Sequence, residues 1–217
     1  MKIVCIADTH SDYKNLKVPD GDILIHAGDI DAYKFSSALR DFNKWLGSLS
    51  HKHKIVIAGN HDGYLDNVTV IEIKEILTNA IYLENSKCKI EGINFWGSPI
   101  TPTFGEWFFM AERGKNINEH WKKIPKNTDI LITHGPPYGI LDVAPFPKPT
   151  SVGCSDLLGK VKEIKPKYHI FGHIHDAYGI YEQNDITFIN ASVMNEDYDI
   201  VNKPIVIDTV YDGKVWK

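Results

Sequence analysis

Five short polar clusters in this chain carry side chains that bind metals: Asp8-Thr9-His10, Gly28-Asp29, Gly59-Asn60-His61-Asp62, His134-Gly135 and Gly172-His173-Ile174-His175. In the last, two imidazoles one residue apart fall on the same side of an extended chain. That arrangement presents two nitrogen ligands to something held in common. Spacing alone does not discriminate, because His51-Lys52-His53 has the same form. Taken together, Asp8, His10, Asp29, Asn60, His61, His134, His173 and His175 offer carboxylates, imidazoles and one amide but no thiolate. Such donors suit manganese, iron, zinc, nickel or magnesium better than a soft metal. These eight groups are too many for one ion and match two ions that share a carboxylate.

Each cluster follows directly on a short apolar run rich in strand-forming residues, at 2–7, 22–27, 55–58, 129–133 and 168–171. Helical patterns separate several of these runs. Ala38, Phe42, Trp45, Leu46 and Leu49 recur at helical spacing with Ser36 as N-cap, and Leu157, Leu158, Val161 and Ile164 repeat up to Pro166, which ends that helix. Weaker helical patterns occupy 71–77 and 115–123, and further short strands fall at 81–83, 88–90, 93–96, 178–181, 187–189, 205–210 and near Lys214. The Pro-, Gly- and aromatic-rich stretch 98–110 and the Pro-rich 143–150 read as long loops, which are often functional. Strands alternating with helices predict an α/β fold with a largely parallel sheet, where ligands bind beyond the carboxyl ends of the strands. The five clusters then share one rim. His51 and His53 precede their strand instead, which places them at the opposite edge, in a solvated loop.

The 217 residues fit a single domain spanning 1–217. A net charge of −4 gives no attraction to nucleic-acid polymers or anionic membranes, and no apolar run reaches membrane-spanning length. Arg40 and Arg113 are the only arginines, so phosphate chemistry here must draw its positive charge from elsewhere. Cys5, Cys88 and Cys154 are scattered and read as reduced thiols, Cys5 being inert inside a strand. Met1 to Ala7 reads as a first strand and not as a signal peptide, so the cytoplasm is the expected location.

In this order, the five clusters resemble those of the calcineurin-like metallophosphoesterase superfamily, and the stretches 54–62, 131–137, 166–175 and 202–206 resemble the animal metallophosphoesterase-domain-containing group, related to class III cyclic-nucleotide phosphodiesterases. Thr133 stands where many members have glycine before the histidine. The resemblance implies a central β-sandwich of mixed sheets flanked by helices, in four layers. It implies that Asp8, His10, Asp29 and His175 bind a first divalent ion, and Asp29, Asn60, His134 and His173 a second, Asp29 bridging. Manganese is the expected metal, with iron, zinc, nickel or magnesium as alternatives.

The implied activity is hydrolysis of small phosphodiesters, cyclic nucleotides being natural candidates, by in-line attack of a metal-activated hydroxide on phosphorus. Asn60, His61 and His175 would contact the substrate. His61, left free of metal, would stabilise developing charge or protonate the leaving alkoxide, with Asp62 orienting it. A phosphomonoesterase, a protein phosphatase or a non-catalytic nucleotide-binding scaffold would use the same residues. Outside the clusters, His26, His120 and His169 read as structural. Phe104, Trp107 and Phe108 form either a base-stacking wall or ordinary packing, and Ser98 and Pro136-Pro137 shape the pocket mouth. Because His173 and His175 are assigned to different ions, His173→Ala and His175→Ala should each abolish binding of a different metal equivalent, as read by metal titration of each variant.

Overall fold

The structure, a computed structural model, describes residues 1–145 and 147–209. In chain order its elements are β1 (Lys2–Ile6), β2 (Ile23–Ala27), α1 (Ser36–Ser48), β3 (His53–Ile57), α2 (Gly63–Asp66), α3 (Val70–Ile76), β4 (Ile81–Tyr82), β5 (Ser86–Ile90), β6 (Ile93–Ser98), β7 (Thr101–Pro102), β8 (Met110–Ala111), α4 (Lys115–Trp121), β9 (Ile130–Thr133), β10 (Val143–Ala144), β11 (Thr150–Ser151), α5 (Ser155–Ile164), β12 (Tyr168–Phe171), β13 (Gly179–Gln183), β14 (Ile186–Asn190) and β15 (Ile205–Asp208). The strand expected near Lys214, and the last residue of the run 205–210, lie outside the described residues.

The single, largely parallel sheet expected from the alternation resolves into two. One has the order β15-β1-β2-β3-β4, the other β13-β14-β12-β9-β6-β5. Their interiors are parallel, whereas β15, β13 and β5 join antiparallel at edges. Ile3, Cys5, Ile25, Ile55 and Ile57 of the first sheet and Phe95, Ile130, Ile132 and Ile170 of the second form one buried core between the sheets. The intervening residues, such as Val4, Leu24, Val56, Leu131 and Phe171, join the apolar faces of the helices in another. Parallel neighbours need a crossover on one face, and α1 (between β2 and β3) and α5 (between β9 and β12) supply it. The result is the layered sandwich of mixed sheets flanked by helices.

Local chemistry sets several boundaries. Thr69 accepts from the Glu72 amide at 3.3 Å while the Glu72 carboxylate accepts from the Thr69 amide at 2.8 Å. This reciprocal cap nucleates α3 despite its β-branched residues. Helix α1 has Phe35, not Ser36, at its N-cap position. The 98–110 loop carries the small parallel pair β7–β8. Ser98 is buried and donates to Asn85 Oδ1 at 2.9 Å, so it is not part of a pocket mouth. No helix among the described residues is long and apolar enough to cross a membrane.

His51 and His53 do sit at the start of β3, at the opposite edge from the strand ends that carry the clusters. The solvated loop expected there is corrected: His51 is only 4% exposed and His53 is half-buried. Tertiary packing explains this: Lys52 and His53 both reach Glu91, at 2.6 and 3.7 Å, while His51 lies just before the strand and is buried. Truncation of Ile170, fully buried between the sheets, to alanine should lower unfolding stability by about 2–5 kcal/mol. Loss of the cap in Thr69→Ala should cost about 1 kcal/mol; urea unfolding with an unchanged m-value checks both.

Candidate metal centre

The carboxyl ends of β1, β2 and β3 meet those of β9 and β12 along one rim, and backbone hydrogen bonds stitch it together. The Asp8 amide donates to Gly28 O at 2.9 Å, His10 to Asp29 O at 3.0 Å and Gly172 to His134 O at 3.0 Å. The two sheets are joined where Ala7 N donates to Ala191 O at 2.9 Å. Leaving a strand abruptly while aiming a side chain back over its end requires unusual backbone. Asp8, His10, Asp29, Asp31 and His173 all have positive φ, at 54°, 41°, 59°, 70° and 71°. Such conformations cost of order 1–3 kcal/mol each and concentrate at functional sites. A Cβ at Gly172 would strike Asp8 Oδ2, and one at Gly59 would strike Asp29 Oδ1. The glycines let the backbone cradle the two carboxylates.

These placements bring all eight of the candidate donors onto that rim. The ligand atoms of Asp8, His10 and His175 lie within 4.8 Å of one another, as do those of Asp8, Asp29 and His134. Asp8 belongs to both of these groups and Asp29 to the second. His173 donates its amide to both Asp8 oxygens at 3.1 and 2.9 Å, and its ring lies 4.9 Å from that of His134.

Hydrogen bonding on the far side of each ring fixes what faces inward. His175 Nδ1–H donates to Asn195 O at 2.9 Å, so its Nε2 lone pair faces His10 Nε2 at 3.5 Å. His134 Nδ1–H donates to Ala27 O at 3.0 Å, and its Nε2 points at Asn60 Oδ1, 2.9 Å, and Asp29 Oδ2, 3.3 Å. Buried oxygen and nitrogen donors converging in this way form a set that can hold a cation once its rings give up their inward protons. The donors present are oxygen and imidazole nitrogen, which fits a hard or borderline divalent ion.

Burial and mutual charge set the protonation of the centre. Burial alone would lower the His134 pKa, but the adjoining Asp29 carboxylate overrides it and holds the ring up at about 9. Burial likewise opposes ionisation of Asp29, yet His134 keeps that carboxyl well below its usual range. Desolvation lowers His10 and pushes His173 down to about 3, leaving neutral rings able to bind metal.

Asp62 takes a different place from the one expected. Its carboxylate accepts from the amides of Ile30, Ala32 and Gly59 at 2.8–3.2 Å. It therefore ties the loop after β2 to the loop after β3, and does not orient His61. Burial and the neighbouring Asp29 raise it to about 7 against those three amides. The reason is positional: Asp62 lies at the entry to α2, turned inward under the loop, while His61 is half-buried on the open side.

The rings around the rim were only partly legible in the sequence. Trp107 stacks on His61 at 4.4 Å with 34° between planes, and Phe104 meets His173 at 5.1 Å. Phe108 instead packs on Tyr33 at 5.5 Å. Three residues carried no sequence expectation. Asp31, bonded by Ser11 Oγ at 2.6 Å, groups with His10 and His61; its position two residues after Asp29 was the available signal. Tyr198 meets His10 at 4.7 Å and His175 at 5.6 Å, and Asn195 supplies the carbonyl behind His175; both come from a distant hairpin and gave none. Beside His173 opens a cavity of about 410 Å³ walled by Phe104, Arg113, Pro136, Val152 and Glu196. Arg113 donates to the carbonyls of Gly153 and Val152 at 2.9 and 2.7 Å, holding that wall in place.

The calcineurin-like phosphoesterase family model matches residues 1–177. Human metallophosphoesterase domain-containing protein 1 is 42% identical over 95% of this chain and 70% of its own length. A UPF0046 protein of Caenorhabditis elegans is 39% identical over 95% of this chain and 74% of its own. Among solved structures, TT1561 of Thermus thermophilus superposes with a TM-score of 0.60 at 10% identity, covering 87% of this chain and 88% of that one, which speaks for the fold alone. Family match and close relatives agree with a rim of converging oxygen and imidazole donors, and on that ground the chain belongs to the calcineurin-like phosphoesterases, as a metal-dependent phosphoester hydrolase.

Proposed function

We propose that this protein is a phosphodiesterase for small diesters, cyclic nucleotides among them. The observation that carries the reading is the cavity beside His173. A diester needs room for an organic substituent next to phosphorus, and this space has the size and the mixed apolar and polar lining of a small-molecule site. Nothing comparable favours a polymer: a net charge of −4 gives no long-range attraction to a nucleic-acid backbone. Its scattered free cysteines accord with work in a reducing compartment, and we place it in the cytoplasm.

In this reading Asp8, His10, Asp29 and His175 hold one divalent ion and Asp29, Asn60, His134 and His173 the other, with manganese the metal we favour. Such a pair supplies an activated water and neutralises phosphoryl charge, which answers the scarcity of arginine. The remaining work falls to the chain itself. Asn60, His61 and His175 orient the phosphoryl group. His61, steadied by Trp107, donates its proton to the departing alkoxide. Asn195 O holds the Nδ1 proton of His175 and Ala27 O that of His134, turning each Nε2 toward the centre.

A hydrolysis panel on metal-stripped and manganese-restored protein should show turnover of 2′,3′- or 3′,5′-cyclic nucleotides and model diesters exceeding that of monoesters; faster monoester cleavage would overturn the diester reading. Asp29→Ala should abolish turnover, and His61→Ala should lower kcat by about 10²–10⁴-fold. Stability offers a second check. In stripped protein the His134 pKa of about 9 lies above its ordinary 6.5, so the bound proton stabilises the fold fully below about pH 6.5 and its contribution is lost as pH rises through about 9. The Tm of chelated protein should therefore fall across that window, and the fall should vanish in His134→Asn and on restoring metal.

A further inference from the structure

Two buried histidines outside the ligand set are built into the rim in the same way. In the first sheet His26, on β2, contacts Thr9 Oγ1 through Nε2 at 2.9 Å. Its Nδ1 accepts from the Gly28 amide at 3.3 Å, so the ring proton must sit on Nε2 and His26 donates to the Thr9 hydroxyl. In the second sheet His169, on β12, contacts Thr133 Oγ1 through Nε2 at 2.8 Å. The one proton of that hydroxyl goes to Gly135 O at 2.7 Å, so here too the imidazole carries its proton on Nε2 and donates. Both rings are fully buried on the helix-facing side of their sheets, edge-on to Phe42 at 5.1 Å and Phe171 at 5.0 Å.

What the two threonines hold is the point. Thr9 stands between Asp8 and His10, both at positive φ. It occupies the N-cap position of the short turn His10–Asn15, yet its side chain makes no cap bond there. A threonine at that position ordinarily spends its hydroxyl on the helix; here it reaches inward to His26. Thr133 precedes His134, and its bond to Gly135 O closes a loop around that residue. In each sheet, a histidine on one strand pins the threonine that flanks the metal-binding side chains of its neighbour.

We infer that His26 and His169 are positioning residues, each setting one of the two metal sites through a threonine hydroxyl: His26 the site of Asp8 and His10, His169 the site of His134. The inference rests on the ligand assignment proposed above. Stability alone is a poor account of His169, because its Nδ1 has no hydrogen-bond partner among the described residues. A buried polar atom left so is a cost that an apolar side chain would avoid.

The test is manganese binding to the 217-residue chain, by competition with a chelator, beside thermal unfolding. His169→Leu should weaken one of the two manganese equivalents by about 10-fold, the range typical for residues behind a ligand, and leave the other and the Tm little changed. His169→Gln, which can place an N–H where Nε2 was, should restore binding. Thr133→Val should reproduce the loss, the double variant should add nothing, and His169→Leu should have no further effect in a His134→Ala background. His26→Leu and His26→Gln should repeat the pattern at the other equivalent. Equal weakening of both equivalents, no weakening, or failure of the glutamine rescue would overturn the inference while two equivalents still bind wild-type protein. Wild-type uptake of fewer than two would overturn the ligand assignment and this inference with it.

Discussion

Two carboxylates, Asp8 and Asp29, lie in the interior at 0% and 2% exposure, and most of the rim is shaped by the need to keep them there. Ionised groups out of water demand partners. Asp8 takes the amide of His173 from the opposite sheet, while Asp29 takes the amide of His61 at 2.9 Å and the edge of His134. Each carboxylate is thus satisfied by a residue that brings another donor with it. The same contacts that make burial tolerable also assemble the metal centre, so stability and chemistry cannot be separated at these positions.

That convergence requires backbone that ordinary residues avoid. Five of the rim residues adopt left-handed conformations, and Gly59 and Gly172 stand where any side chain would collide with a carboxylate. The strain is held by surroundings that leave no room for relaxation: strands buried on both faces below, amide bonds between loops above, and Asp62 fastening the loops after β2 and β3 to each other. Fixed ligands of this kind lose little order when an ion or a phosphoryl group arrives, which is how preorganised polar sites gain their catalytic strength.

The access side is built from different material. Trp107, Phe104 and Tyr198 are each partly exposed and each abuts a rim histidine. They come from loops and a hairpin, where sequence can vary without disturbing the sheets. The division sets the converging donors on strand ends and the aromatic rings on the 98–110 stretch and the hairpin carrying Tyr198.

The sequence by itself named the candidate donors, because chemistry restricts which side chains can bind a hard ion and because strands ending in polar clusters announce where those side chains emerge. It also determined most of the helices and strands through apolar spacing. What only the tertiary structure decided follows from contacts between distant segments. A run such as 55–58 is apolar on both faces, so nothing in it says which of two sheets it joins or that a second sheet exists. Asp62 and His61 are adjacent, yet one turns under the loops and the other toward solvent, a difference set by the space available and not by residue type. His51 is buried, and Asn195 and Tyr198 reach the rim, for the same reason: each position is defined by what folds against it, and local sequence does not encode its partners.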